Sequence, residues 1–175
     1  MSILKVARMG HPVLRAKARP LDKAEIRSAA VQKLIDDMID TMVEYHGVGL
    51  AAPQVHEALR IFVAAIDDGD EEEGEATPFA LINPEITIVG GDVVEDWEGC
   101  LSIPDVRGRV PRAREIIVRG LDRKGSAVEL RVHDFAARVI QHETDHLDGI
   151  LFFDRMRSFE SLTFLDEYAR FWAKD

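Results

Sequence analysis

The chain contains little cysteine, few aromatic residues and no long apolar segment. One of its 175 residues is a cysteine, Cys100, and 7% are aromatic. A single cysteine excludes an intramolecular disulfide and suits a reducing compartment. No apolar run approaches the ~18 residues of a membrane-spanning helix, and the N-terminal residues lack the apolar stretch of a secretory signal. These absences exclude a membrane protein and a secreted scaffold that depends on disulfides.

Basic residues are scarce relative to acidic ones. The chain has 22 Lys and Arg against 32 Asp and Glu, which gives a formal net charge of −10. Proteins that bind phosphate backbones are usually basic, so we expect no direct sequence-specific binding to nucleic acid. The length and the absence of internal repeats or a linker predict a single domain over residues 1–175.

Hydrophobic periodicity predicts helices at both ends of the chain and strands between them. A helix is expected over residues 22–47, opened by a capping box between Asp22 and Glu25. A second helix should cover residues 134–149, and a last amphipathic helix should cover residues 158–172. The predicted strands cover residues 60–66, 79–89 with an interruption at Asn83-Pro84, 93–97, 115–121 and 128–132.

This order of elements predicts an α+β fold. Mixed or antiparallel strands should pack around a central helix near the C-terminus, the one at 134–149, with one helix N-terminal and one C-terminal to them. Residues 47–54 are expected to form a glycine-rich apolar loop. The acidic run at 67–75 should be a dispensable, solvated loop, because it lacks the ligand spacing of a calcium site.

The most informative pattern is His142-Glu143-Thr144-Asp145-His146. In a helix, residues four positions apart lie on one face, so both imidazoles can bind one metal ion. Glu143 would stand beside the open coordination position, where it can take a proton from the attacking water. The helix is apolar on nearly all sides, and buried histidines in such a helix need a chemical reason. We therefore predict a metal site.

A tetrahedral metal ion also needs a third protein ligand. Metzincin proteases place a histidine at a position that is Phe152 in this chain. Thermolysin-like enzymes use a downstream glutamate, for which Glu160 and Glu167 are available near the end of the chain. Cys100 is the remaining candidate, because a thiolate is a strong ligand for zinc or ferrous iron. Taken alone, Cys100 would be a small buried apolar residue.

Three segments of the sequence together resemble peptide deformylase. They are GVGLAAPQ at 47–54, EGCLS at 98–102 and QHETDHLDG at 141–149. Each matches the family's motif (G-x-G-L-A-A-x-Q, E-G-C-L-S and Q-H-E-x-D-H-L-x-G) at every fixed position, in the expected order and at fitting separations. The resemblance covers residues 1 to about 155, and it implies one deformylase-like catalytic domain over residues 1–175.

The resemblance also implies roles for individual residues. Cys100, His142 and His146 would be the metal ligands, and Glu143 would be the general acid and base. The side-chain amide of Gln54 and the backbone N–H of Leu101 would hold the oxyanion. Gly47, Val48 and Gly49 would pair with the peptide backbone as an added strand. Phe135 and Val139 would line the methionine pocket.

The family removes the N-formyl group from nascent polypeptides that start with formylmethionine and releases formate. Each chain would hold one divalent metal ion, with Fe²⁺ expected in the cell and Zn²⁺, Ni²⁺ or Co²⁺ able to substitute. The protein would be cytoplasmic in a bacterial setting, or in an organelle if a transit peptide has been removed, and would not bind membranes. Some members carry a basic C-terminal helix that docks on the ribosome. Residues 154–175 are roughly neutral here, which argues against docking by this tail and leaves a transient ribosome contact open.

Two other functions fit part of the pattern. An HExxH-type zinc endopeptidase would use Glu143 in the same way, but it would need a longer cleft and a third ligand other than Cys100. A structural metal domain would need four protein ligands.

Some polar residues near the pattern have several interpretations. Asp145 would orient a histidine, pair with Arg112 or lie on the helix surface, and Arg138 would reach the pocket mouth or extend to solvent. The remaining histidines are not expected to be ligands; they are His11, His46, His56 and His133.

Overall fold

A computed structural model describes residues 2–66 and 76–173. The acidic segment 67–75, for which the sequence predicts a solvated loop, lies outside the described residues. Antiparallel strands form a sheet in the order β1-β2-β3-β4-β5, and β6 pairs with β4. The strands are β1 Gly49–Ala51, β2 Ile61–Ala64, β3 Phe79–Cys100, β4 Ile103–Leu121, β5 Ala127–His133 and β6 Thr163–Phe164.

Helices precede and follow the main strands, so the predicted α+β class is confirmed. The α-helices are α1 Lys23–Ile26, α2 Ala29–Glu44, α3 Asp134–Leu147 and α4 Leu165–Phe171. Short 3₁₀ turns cover Pro12–Arg15, Ala52–Val55 and Phe152–Arg155. Among the described residues, no helix is both long enough and apolar enough to cross a membrane.

The helix predicted over residues 22–47 is in fact two helices. Asp22 caps α1 and forms the predicted capping box with Glu25. Ser28 then interrupts the helix, because its backbone is extended and its hydroxyl accepts a hydrogen bond from the first turn of α2. The second helix ends at Glu44, just before His46 adopts a left-handed backbone with a φ of 54°.

The strand prediction is too fragmented in the middle of the chain. β3 is one continuous strand of 22 residues that pairs with β4 over most of its length. At the interruption predicted for Asn83-Pro84, the structure has only a shift of register between Ile82 and Glu85. Such an irregularity accommodates a proline without ending the strand. The strands predicted at 115–121 and 128–132 lie in β4 and β5, which form a hairpin with Leu121 opposite Ala127.

Two further predictions are corrected near the ends of the sheet. The segment at 47–54 is not only a loop, because it contains β1 and a 3₁₀ turn. The helix predicted over residues 158–172 is wrong over its first half, and α4 begins at Leu165. Residues 163–164 instead form β6, since their backbone pairs with Val106 and Arg107 of β4.

The long helix α3 carries the histidine pair and packs against the sheet. Its apolar face is buried together with residues from β2 and β4; the set includes Ala137, Ile140, Leu147, Phe62, Ile116 and Val118. The helix is buried along most of its length, as its apolar sequence predicts, but its first turn is not, because Phe135 is 59% exposed. That turn borders a cavity.

Candidate metal centre and active site

Cys100, His142 and His146 come together in the interior of the protein. The two histidines lie one turn apart on α3, and Cys100 is the last residue of β3. One potential ligand atom from each residue lies within 4.8 Å of the other two. The Cys100 sulfur is 3.3 Å from Nε2 of His146. The tight turn between β3 and β4, in which Cys100 pairs with Ile103, holds the thiol over the helix.

The chemistry of these donors fits a divalent transition metal ion. One thiolate and two imidazoles suit zinc or ferrous iron, and three ligands leave one tetrahedral position open. Within the described part of the chain, no other group of three candidate ligands meets the same distance limit. Glu160 and Glu167, considered as alternative ligands, are exposed and do not belong to the cluster.

Glu98 fixes the orientation of the first histidine. Nδ1 of His142 donates to Oε2 of Glu98 at 2.9 Å, which leaves Nε2 of His142 for the cluster. Burial raises the pKa of Glu98, but hydrogen bonds from His142 and Arg112 outweigh burial and lower that pKa to about 2. Glu98 is therefore an ionised hydrogen-bond acceptor at neutral pH.

Two buried arginines hold Glu98 in place. Arg112 donates from Nε and Nη2 to the two carboxylate oxygens at 2.8 and 3.0 Å. Arg138 donates from Nη1 to Oε1 of Glu98 at 2.8 Å and also to the carbonyl oxygens of Val94 and Val110. Arg138 lines the cavity, and its extension to solvent is ruled out because it is only 6% exposed.

Of the three interpretations of Asp145, the structure shows the pairing with Arg112. Nη1 of Arg112 donates to Oδ2 of Asp145 at 2.5 Å, and Arg155 donates to both oxygens of the same carboxylate. The sequence prediction assigns no role to Glu98, although its position two residues before Cys100 could have marked it as a neighbour of the metal ligands.

Glu143 lies beside the metal ligands and is also buried. Burial raises its pKa to about 7, while the neighbouring charge of His142 opposes the shift. Among the described residues its Oε2 atom has no hydrogen-bond partner. Gly49 of β1 makes room for this carboxylate, because a Cβ at that position would overlap Oε1 and lie 2.8 Å from Cδ.

Gln54 approaches the cluster from the 3₁₀ turn that follows β1. Its Oε1 accepts a hydrogen bond from the backbone N–H of Ala51 at 2.8 Å, which fixes the orientation of the amide. Its Nε2 then points toward the cluster, 3.5 Å from the Cys100 sulfur and 3.2 Å from Oγ of Ser102. Leu101 lies between Cys100 and Ser102 in the β3–β4 turn.

A cavity of about 580 Å³ opens onto the cluster. Its wall contains all the residues that the sequence assigns to catalysis, together with two of the three metal ligands and every residue assigned to substrate binding. These are Gln54, Leu101, Glu143, Cys100, His142, Gly47, Val48, Gly49, Phe135 and Val139. A larger cleft of about 820 Å³ borders another face of α3, along Gln141, Thr144 and Asp148, and none of the three ligands lines it.

The family model for polypeptide deformylase matches residues 3–161 of this sequence. The chain belongs to the peptide deformylase family. Deformylases are metal-dependent hydrolases that remove the formyl group from N-terminal methionine. Membership does not favour the alternative of an HExxH-type endopeptidase.

Individual deformylases are similar to this chain over most of its length. Peptide deformylase 2 of Nostoc sp. is 41% identical over 175 residues, covering 99% of this chain and 97% of that protein. The peptide deformylase of Halothermothrix orenii is 46% identical over 157 residues, covering 89% of this chain and 95% of that protein.

Solved deformylase structures share the fold. The Met-Ala-Ser-bound class I type b peptide deformylase of Acinetobacter baumannii has a TM-score of 0.82 and 40% identity, covering 89% of this chain and 100% of that one. The deformylase of Thermotoga maritima has a TM-score of 0.80 and 39% identity, covering 90% of this chain and 100% of that one.

Proposed function

We propose that this deformylase hydrolyses the formyl amide of N-formylmethionyl peptides at the site formed by Cys100, His142, His146 and Glu143. One observation carries the proposal. A buried thiol and two imidazoles converge beside a buried carboxylate, and a cavity large enough for a peptide end opens onto them. Nascent peptides that begin with formylmethionine are the proposed partners, in the bacterial cytoplasm or in an organelle.

Cys100, His142 and His146 would hold one divalent metal ion. When bound, the ion supplies a Lewis acid that polarises the formyl oxygen and makes water more acidic. We propose Fe²⁺ as the ion in the cell, with Zn²⁺, Ni²⁺ or Co²⁺ able to substitute, because thiolate and imidazole suit these ions. Glu98 supports the site by accepting the Nδ1 proton of His142, which keeps Nε2 free for the ion.

Glu143 moves the protons of the reaction. With a pKa of about 7, its carboxyl group can both accept and release a proton near neutral pH. Glu143 takes a proton from the attacking water as the water oxygen bonds to the formyl carbon. It returns that proton to the methionine nitrogen as the carbon–nitrogen bond breaks, which gives a free amine and formic acid; the acid then loses its proton to solvent and leaves as formate.

Gln54 and Leu101 stabilise the negative charge that develops on the formyl oxygen. The amide of Gln54 is already oriented, because Oε1 is held by the backbone of Ala51 and Nε2 faces the cluster. The backbone N–H of Leu101, in the β3–β4 turn, is the second donor. A preorganised donor of this kind typically contributes about 10²–10³ in rate.

The substrate backbone is proposed to add to the sheet beside β1. Among the described residues this strand stands at one end of the strand order and pairs with β2 alone. Gly47, Val48 and Gly49 line the cavity at this edge. An extended peptide there would gain main-chain hydrogen bonds in the manner of an added strand.

The methionine side chain is proposed to lie against the first turns of α3. Val139 is buried there and Phe135 is exposed, and both line the cavity. A methionine over Phe135 would bury apolar surface, and burial of such surface stabilises a complex by roughly 25 cal/mol per Å².

Formate release from formyl-Met-Ala, by protein purified without oxygen, tests the proposal. The metal content of the same sample is measured, and a peptide with a free N-terminus serves to detect cleavage of internal bonds. We expect formate from the formyl peptide, one metal ion per chain and no internal cleavage. Metal-replete protein that releases no formate, or that cuts internal peptide bonds, would contradict it.

A further inference from the structure

The C-terminal segment, residues 161–173, forms part of the wall of the active-site cavity. Leu165, the first residue of α4, lines the same cavity as Cys100 and His142. The family match ends at residue 161, so nearly all of this segment lies outside it. The Nostoc deformylase nevertheless aligns with 99% of this chain. The segment therefore lies almost wholly beyond the family match, although at least this relative aligns with it.

Backbone pairing ties the beginning of the segment to β4. Phe164 lies opposite Val106, and Thr163 lies opposite Arg107. Just before this pairing, Oγ of Ser161 accepts a hydrogen bond from the backbone N–H of Arg109 at 3.0 Å. Because β4 leads directly from the turn after Cys100, these contacts fix the segment relative to the metal ligands.

Aromatic packing ties the helix α4 to β3. The ring of Trp97 lies 4.9 Å from the ring of Tyr168 and 5.7 Å from the ring of Trp172, measured between centroids. Trp97 itself lines the cavity and immediately precedes Glu98. Leu165 and Trp97 are thus two apolar side chains, from different elements, on the wall of one cavity.

This apolar pair is distinct from the surface proposed for methionine. Phe135 and Val139 belong to α3, whereas Trp97 belongs to β3 and Leu165 to α4. A peptide added beside β1 advances roughly 3.3 Å per residue, so the residues after methionine lie progressively farther from the metal cluster. Trp97 precedes Cys100 by three residues on the extended strand β3, a separation of about 10 Å, so an apolar wall at Trp97 suits those later residues.

We propose that Leu165 and Trp97 contact the residues that follow formylmethionine, so that the C-terminal segment favours substrates with apolar side chains there. The inference depends on the proposed function, because it assigns part of the same cavity to the same substrate. Leu165 and Trp97 act on peptide binding and take no part in proton transfer.

The test compares formyl-Met-Leu-Leu with formyl-Met-Ala-Ala on the metal-loaded protein. We expect the unaltered protein to prefer the leucine peptide in kcat/KM. Leu165→Ala should reduce this preference about threefold to tenfold, through KM, since tenfold corresponds to 1.4 kcal/mol of lost contact. Phe171→Ala is the matched control: Phe171 is on the same helix, is 60% exposed and does not line the cavity.

A second variant and a binding measurement make the test independent of one substitution. Trp97→Ala, in the full chain, should lose the same preference as Leu165→Ala, because Trp97 lines the same cavity. Calorimetry with the product peptide Met-Leu-Leu should show weaker binding to Leu165→Ala than to Phe171→Ala.

The possible failures are distinguishable. If both peptides are deformylated and Leu165→Ala leaves the preference and the binding of Met-Leu-Leu unchanged, the inference is wrong and the proposed function stands. If the metal-replete protein releases formate from neither peptide, the proposed function is wrong, and this inference is wrong with it.

Discussion

Nδ1 of His142 and Oε2 of Glu98 lie 2.9 Å apart in the protein interior, joined by a hydrogen bond between α3 and β3. The bond joins two residues that are 44 positions apart in the sequence. The same carboxylate accepts hydrogen bonds from Arg112 and Arg138. The orientation of a proposed metal ligand is therefore set by a group that does not itself bind the metal.

Glu98→Gln should weaken both metal binding and folding. An amide cannot accept from His142 and two arginines as an ionised carboxylate does, and loss of such a supporting group typically costs about 10–100-fold in metal affinity. Removing one partner of a buried ion pair also costs about 3–5 kcal/mol in the free energy of unfolding. Chelator competition and urea unfolding measure the two effects. Glu95→Gln, an exposed change on the same strand, is the control, and equal metal affinity in both variants would contradict the assignment.

Glu143→Gln should keep the metal and lose most of the activity. The substitution preserves the size of the side chain but removes the group that accepts and returns the proton, which we expect to cost about 10²–10⁴ in kcat. Metal analysis and formate release on the same preparation measure the outcome. Glu129→Gln, on the exposed face of β5, should change neither. A metal-free Glu143→Gln protein would instead indicate that Glu143 is a ligand.

Gly49→Ala should lower kcat by about 100-fold, because a misplacement of about 1 Å at a reacting group can cost that much. The new methyl group would overlap the Glu143 carboxylate, so either β1 or that carboxylate must move. Gly91→Ala provides the matched control, since a Cβ at Gly91 meets nothing within 4 Å. The comparison is made on formyl-Met-Ala at saturating concentration. Similar turnover in the two variants would show that Glu143 does not act from its present position.

Iron-loaded protein prepared without oxygen should be more active than the same protein handled in air. A thiolate beside an open coordination position is exposed to oxidation when ferrous iron is bound, whereas zinc has no redox chemistry. Mass spectrometry of Cys100 and iron analysis should show oxidation of the thiol or loss of the metal. Nickel-loaded protein should stay active in air. Equal activity of both iron preparations, with Cys100 unmodified, would refute the expected oxygen sensitivity.

The sequence predicted the cluster well because its spacing follows from helix geometry. His142 and His146 had to share a face of any helix, and Glu143 had to lie next to that face. Cys100 was reached by excluding the other candidates and by the family resemblance. The α+β class followed from the order of the periodic segments.

Long-range contacts account for what the sequence could not predict. Whether Arg138 points outward or inward depends on a carboxylate 40 positions away, so local pattern alone leaves both directions open. The C-terminal helix is shorter than its periodicity suggests because the backbone of residues 163–164 pairs with β4 as a strand. The break at Ser28 has a local cause instead, because the N-cap of α2 interrupts a segment for which periodicity predicts one helix.

The burial of the Glu98 network has a consequence for ionic strength. Dissolved ions screen charges at the surface, with a Debye length of about 8 Å at physiological salt, but they screen interior charges much less. Glu98, Arg112 and Arg138 are each no more than 6% exposed. Concentrated salt should therefore weaken exposed pairs such as Arg119–Glu129 while leaving the imidazole of His142 in the same orientation.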